Sequence, residues 1–336
     1  MALPTRCLTI LDVGHGNSAV VSTPEGVVVI DAGPGNVLQE YLVQQGINEV
    51  AAVLLSHADE DHIGGLLGLL GDGRFTIKKI RVNSDALKGS KIWDDLLSEL
   101  EKLGLAGKGD FLPVLTSAQS GEFDLGKIKI QILGPGTYLA GKGPGATITK
   151  DHVGGTSDRK MTSNSISAVI RISNDAAPCA LLTGDVDDIG LDNMTSLHID
   201  FKAPILIFPH HGGKSRNVDP VEFTKALCNF VDPRFVIFSI GRNKHKNPRP
   251  DVVAAVRAHH AEVQVGCTQL SKHCADSLPK VATSHLTKAF ARGRDEGACC
   301  LGTTLVDLDA LEKVRPTREK HLKFVVDVVP QALCRK

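Results

Sequence analysis

Four short apolar runs in this 336-residue chain each stop on a residue that can hold a cation or a proton. "VVVIDAG" ends on Asp31, and "AAVLLSHADEDHIGGL" ends on His57 with a row of acids behind it. "CALLTGD" ends on Asp185, and "APILIFPHHGG" on His210 and His211. Short continuous apolar runs closed by turn residues read as buried strands. A chain that repeats this pattern has to bury those strands in sheets. It then brings their polar ends to one edge, where open α/β sheets build their sites.

Helix and strand signals alternate along the rest of the chain. "CLTILDV" and "SAVVS" are β-rich, and "TPEG" is a turn. "NVLQEYLVQQG" predicts a helix with Asn36 as N-cap, an apolar face of Val37, Leu38, Tyr41 and Leu42, and Gly46 as stop. "SKIWDDLLSELEKLG" predicts another, starting at Ser90. "KIKIQIL", "SISAVIRI", "RFVIFSI" and "EVQVGC" read as strands, and "DDIGLDNMTSL", "DPVEFTKALCNF" and "PDVVAAVRAHH" as helices. Two halves of this kind predict an α/β fold with two sheets between outer helices. Gly134 to Ser163 holds seven glycines and no periodicity, which predicts a flexible Gly-rich loop, either a flap or a disordered stretch. Residues 1–268 are expected to form the catalytic domain. Residues 269–336 are expected to be a Cys-rich extension packed on it, with "FVVDVV" as a strand.

Composition limits the partners. Lys plus Arg and Asp plus Glu balance at 38 each, so no global field attracts a polyanion, though local patches remain open. Aromatics make up 4%, too few for an obvious base-stacking platform. No apolar run approaches the ~18–20 residues that span a bilayer, and "MALPTRCLTILDVG" lacks the pattern of a signal peptide. The expected location is cytoplasmic. Eight cysteines then read as reduced thiols or metal ligands. Cys267, Cys274, Cys299 and Cys300 are candidates for a closed tetrahedral zinc site, with buried free thiols as the simpler reading.

"HADEDHIGG" carries the most chemistry. An acidic helix start accounts for Asp59, Glu60 and Asp61 through the helix dipole, but not for the flanking His57 and His62. Positions 57 and 59 share a direction if the backbone stays extended, while Asp61 and His62 turn elsewhere as a helix begins. The loop is therefore expected to serve two adjacent cations, through 57 and 59 on one side and 61 and 62 on the other. Together with "LDVGHGNSAVV", "SNSISAVIRI", "LLTGD" and "PHHGGKS", this motif resembles the metallo-β-lactamase superfamily, whose usual form is His-x-His-x-Asp-His. With Asp59 at the second His, it looks like the soluble β-lactamase-like domain of ComEC-type DNA-uptake competence proteins, over roughly residues 8–268.

That resemblance implies an αββα sandwich and one or two divalent ions, Zn²⁺ or Mn²⁺. His57, Asp59, Asp61 and His62 would be ligands, Asp185 would bridge, and His210 or His211 would complete the set. Asp61, Asp185 and His211 are the expected catalytic residues. Asp31 would orient a ligand from behind, and Asn164 falls where other members have a His. His15 and Asn17 stand where relatives carry Gln and Asp. Asn247 precedes Pro248 where they often show His, a place His245 can take if it is not simply exposed. A carboxylate at 59 hardens the site and makes Mn²⁺ a competitor of Zn²⁺. Lys214, Arg216, Arg242, Lys244, His245 and Lys246 are expected to rim the mouth and hold phosphates. The expected activity is a metal-dependent phosphodiesterase, a nuclease cleaving DNA or RNA with metal-activated water. The alternatives are hydrolysis of a small ester, lactone or nucleotide, and a metal-binding interaction module without turnover.

Overall fold

The computed structural model describes residues 4–149, 158–215, 218–242, 244–260, 262–279, 284–311 and 314–335, with side chains for all of these but 314–318. Seven strands form the first sheet, in the order Thr304–Asp307, Cys7–Ile10, Ser18–Thr23, Gly26–Ala32, Ala52–Leu55, Lys79–Val82 and Asp110–Leu112. The first four run antiparallel and the rest parallel. Six strands form the second: Ile128–Gly134, Val169–Asn174 and Ala177–Leu182 antiparallel, then Ile205–Ile207, Phe235–Phe238 and Gln264–Cys267 parallel. Each half thus starts as a meander and continues with parallel strands joined by crossover segments.

Strand periodicity sorts the side chains into layers. Val28 and Ile30 point between the sheets, where they meet Ile130, Ile132, Ile170 and Ile207. Val27 and Val29 point outward to Leu38, Tyr41 and Leu42 of helix Val37–Gln44, with Trp93, Leu96 and Leu100 of helix Lys91–Leu105 in the same core. In the second sheet Phe235 and Ile237 face inward. Val236 and Phe238 face helices Pro220–Val231 and Pro250–His259 through Phe223, Leu227, Val252 and Val256. Strands buried on both faces explain why their sequences are continuous apolar runs rather than alternating ones. The layers are helix, sheet, sheet, helix.

Two expectations need correction. Gly134–Ser163 is not structureless where it is described: Thr137–Lys142 is helical, and Thr147–Ile148 pairs with Arg159–Lys160. Leu139, Ile148 and Met161 there join Ile166 and Ile189 in a small core, spaced too widely to register as a period. Residues 150–157 of the stretch lie outside the described residues. "FVVDVV" is the end of helix Val314–Val328, not a strand. Phe324, Val325 and Val329 pack as one helical stripe on the outer core of the second sheet. The strand of this region comes earlier, at Thr304–Asp307, antiparallel to Cys7–Ile10. Among the described residues no helix is long and apolar enough to cross a membrane.

Candidate metal centre

Loops from both sheets meet at one edge. After strand Ala52–Leu55 the chain bends through residues 56–58, is extended at Asp59 (φ −76°, ψ 142°) and then makes the short helix Glu60–Ile63. That turn swings His62 back toward His57, with ring centroids 4.2 Å apart, and sends Asp61 to the other side. From the second half, Asp185 follows Gly184, whose positive φ of 50° and lack of a side chain let it sit against Ser56 and Ser167; a Cβ there would lie 2.4 Å from Ser167 Oγ. His210 and His211 are both left-handed (φ 52° and 54°), a strained pair of the kind held only where the surroundings impose it. Their turn aims the His210 N–H at Asp185 Oδ1, 2.9 Å away, and places His211 Nε2 3.0 Å from Asp61 Oδ2.

Two groups of ligand atoms result: His57, His62 and Asp185, and His15, Asp61 and His211. They adjoin, with His62 Nε2 at 3.5 Å and His211 Nε2 at 3.9 Å from the same Asp185 oxygen. This regroups the sequence expectation, which paired 57 with 59 and 61 with 62. The helical turn at Glu60 is the cause, because it separates adjacent residues 61 and 62 by about 100° around its axis. While Asp59 stands beside His57, His15 enters as a further ligand candidate in the group of Asp61 and His211. Its loop is fixed by Gly16, where a Cβ would come 2.3 Å from the Asp61 carbonyl, and by the Asn17 N–H donating to that carbonyl at 3.1 Å. The sequence carried the signal, since "DVGHGNS" also follows a buried strand with a polar residue between glycines.

Hydrogen bonds behind the imidazoles set their tautomers. Asp31, itself at φ 57°, accepts from Ser56 N at 2.6 Å and Ser56 Oγ at 2.9 Å, and sits 2.8 Å from His62 Nδ1. His62 Nδ1 therefore carries the proton, leaving Nε2 to face Asp185. The Ser56 hydroxyl proton is committed to Asp31, so at 3.0 Å His57 Nδ1–H donates to Ser56 Oγ. His211 Nδ1–H donates to the Ser239 carbonyl at 2.7 Å. Nε2 of His57 and of His62 are buried with no hydrogen-bond partner. Such orphans are costly in a protein interior unless something takes the lone pair, and nitrogen and carboxylate donors in this arrangement fit divalent transition ions.

The charges interlock. Burial pushes the His62 imidazole down, but Asp31, Asp185 and Asp61 outweigh it and raise it well above its ordinary value. Burial likewise opposes His211, which Asp185 and Asp61 raise. Burial lifts the carboxyls of Asp185 and Asp61, yet the neighbouring His62 and His211 hold both well below the usual range. Burial and then His211 push His15 down to about 3. Burial and then His62 lower His57. A cation entering here must displace protons from His62 and His211. Apparent Zn²⁺ affinity is therefore expected to keep rising with pH beyond the ordinary imidazole value of ~6.5. Calorimetry at pH 7 in buffers of different ionisation enthalpy should register proton release on binding; none would contradict this account.

The remaining candidates fall out as follows. Asp59 is half-buried, with Oδ1 3.7 Å from His57 Nε2 and bound to Lys88. Asn164, Lys214, Asp59 and Lys88 line a cleft of about 1180 Å³ beside the centre, with Arg159 and Lys160 on the same wall. Lys88, Arg159 and Lys160 were not among the sequence candidates. Lys244, His245 and Lys246 are exposed on the other flank, and the His245 ring lies 4.5 Å from His15. Arg216 lies outside the described residues. Arg242 corrects the expectation of a phosphate-binding rim: it is 5% exposed, and its guanidinium donates to the carbonyls of Leu270, Ala275 and Asp276. Among the described residues the four cysteines form no group with ligand atoms close enough to hold one ion, although Cys267, Cys274 and Cys300 line one small pocket. Cys299 Sγ donates to Asp12 at 3.4 Å, Cys300 Sγ sits 3.1 Å from His321 Nε2, and Cys274 Sγ accepts from Leu333 N. Burial raises the thiols of Cys267, Cys274, Cys299 and Cys300, as it does for free thiols packed in an apolar interior.

A helix-flanked pair of sheets with His and Asp loops gathered at one edge is the architecture of the metallo-β-lactamase fold. The resemblance holds in sequence, since the family described as the Metallo-beta-lactamase superfamily matches residues 11–156. ComE operon protein 3 of Bacillus subtilis (strain 168) is 23% identical over 276 residues, which cover 75% of this chain and 31% of that protein. The chain thus spans about a third of that relative's length. Among solved structures it is similar to the metallo-beta-lactamase fold protein YhfI from Bacillus subtilis, at 11% identity and TM-score 0.46, covering 78% of this chain and 96% of that one. It is also similar to Tm1679, a metal-dependent hydrolase of the beta-lactamase superfamily, at 19% identity and TM-score 0.45, covering 77% and 95%.

Proposed function

We propose that this protein is a metal-dependent phosphodiesterase, a nuclease acting on DNA or RNA. The observation that carries the reading is the pair of ligand groups sharing Asp185 beside a cleft walled by lysines. His57, His62 and Asp185 would hold one divalent ion, and His15, Asp61 and His211 the other, with Zn²⁺ or Mn²⁺ as the candidates. Bound there, such ions supply a nucleophilic water and neutralise charge on a phosphoryl oxygen. The chain's own groups do the positioning. Asp31 and Ser239 hold His62 and His211 in the tautomer that presents Nε2. Lys214 and Lys160 supply positive charge along the cleft for the flanking phosphates.

Asp61 is kept ionised by His62 and His211, so Asp61→Asn removes a negative charge that both imidazoles depend on. Purified protein is expected to cleave single- or double-stranded DNA or RNA with Mn²⁺ or Zn²⁺, and Asp61→Asn to abolish cleavage. Nucleic acid left intact across a metal panel, alongside turnover of a small ester, would replace the nuclease reading. Bound metal with no turnover of any substrate would make the protein a binding module.

A further inference from the structure

Asp59 and Lys88 form an ion pair at the edge of the centre that the proposed chemistry does not use. Lys88 Nζ bonds Asp59 Oδ1, the same oxygen that lies 3.7 Å from the partnerless His57 Nε2. The two side chains are 25% and 31% exposed, so they stand at the mouth, and both line the cleft. The Lys88 backbone is anchored by its N–H to the Asp85 carbonyl at 3.2 Å. The Asp85 carboxylate is engaged by Ser163 Oγ and the Leu87 N–H, so it offers the lysine no ready second home.

We propose that Lys88 stands in for the first cation: its ammonium neutralises Asp59 in the metal-free protein, and passes to an anionic group of the substrate once a divalent ion takes that carboxylate. An ammonium and a divalent ion on one carboxylate oxygen repel each other at contact distance, so the two compete for Asp59 Oδ1. The displaced ammonium, on a flexible four-carbon stem, has the cleft before it, where a phosphate or other anion replaces the lost counter-charge. Asp59 thereby becomes the fourth donor beside His57, His62 and Asp185. Metal loading and substrate binding are coupled through one side chain. This rests on the metal centre of the functional reading and adds to it which residue receives the substrate's anionic group.

The test reads two dissociation constants in opposite directions. Titration of Mn²⁺ into wild type, Lys88→Met and Lys88→Arg is followed by titration of inorganic phosphate into each Mn²⁺-loaded protein. Lys88→Met is expected to bind Mn²⁺ about two- to fivefold more tightly, the scale of a half-exposed ion pair lost. It is expected to bind phosphate about tenfold more weakly, with Lys88→Arg restoring phosphate binding to within about twofold. General damage to the site would weaken both, so the opposed signs are diagnostic. In an Asp59→Asn background the Lys88→Met gain in Mn²⁺ affinity should vanish. Wild type that binds Mn²⁺ no more weakly than Lys88→Met, or phosphate binding untouched by it, overturns the role of Lys88 and leaves the functional reading standing. Wild type that binds no Mn²⁺ overturns both.

Discussion

Asp185→Asn is expected to lower kcat by at least about 10³-fold while the two-sheet sandwich stays folded. Asp185 is a carboxylate that reaches both ligand groups: Oδ1 lies 3.5 Å from His62 Nε2, 3.9 Å from His211 Nε2, and accepts the His210 N–H at 2.9 Å. An amide keeps that last hydrogen bond and the side-chain volume, so packing is preserved. It loses the negative charge, and with it a donor placed to be shared between two cations. Charge stabilisation by paired ions contributes several kcal/mol to the transition state, and each ~1.36 kcal/mol is tenfold in rate. The substitution also removes one of the carboxylates that hold His62 and His211 up. The variant's metal content should therefore fall together with kcat, and its Zn²⁺ affinity should level off at lower pH. Metal analysis, steady-state rates and a thermal melt separate these effects. Wild-type metal content with activity within tenfold of wild type would show that Asp185 is not the shared donor.

The parts of this centre that were legible in the sequence are those where strand grammar decides. A buried strand ends where its apolar run ends, so the sequence alone puts Asp31, His57, Asp185 and the 210–211 pair at strand ends. Side-chain direction was not legible. Whether 57 pairs with 59 or with 62 depends on where the backbone leaves the extended region, and the chain bends already at residues 56–58 before the helix starts at Glu60. The same limit applies to charge. Arg242 and Lys244 are two residues apart in one basic stretch, yet the first is buried among carbonyls and the second is exposed. "FVVDVV" is equally good as an alternating strand or as part of a helical stripe. Docking of Phe324, Val325 and Val329 on the second sheet decided it, a tertiary choice that β-propensity does not contain. His15 shows the same strand-end signal in "DVGHGNS", but its partners Asp61 and His211 come from segments 46 and 196 positions away, so no local spacing shows which group it joins.

Arg242→Met and Lys214→Met are expected to fail in opposite ways, although both replace a cation near the same mouth. Arg242 donates to three main-chain carbonyls, of Leu270, Ala275 and Asp276, at 2.7 to 2.9 Å. Methionine fills most of the space and cannot donate, so these acceptors lose their partner. An acceptor stranded in the interior costs about 1–3 kcal/mol, partly offset because a desolvated cation goes too. The net loss is expected at about 2–4 kcal/mol, or roughly 3–6 °C in Tm for a chain of this size. KM for a nucleic-acid substrate should stay within about twofold. Lys214 is exposed on the cleft wall, and surface substitutions of that kind leave stability within about 0.5 kcal/mol. Its loss should instead raise KM about tenfold, with a shallower dependence on salt as one phosphate contact disappears. A melt and a salt series on the two variants distinguish the roles. If Arg242→Met weakened substrate binding at unchanged Tm, its guanidinium would have to face the cleft, and the packing of residues 270–276 would be other than described.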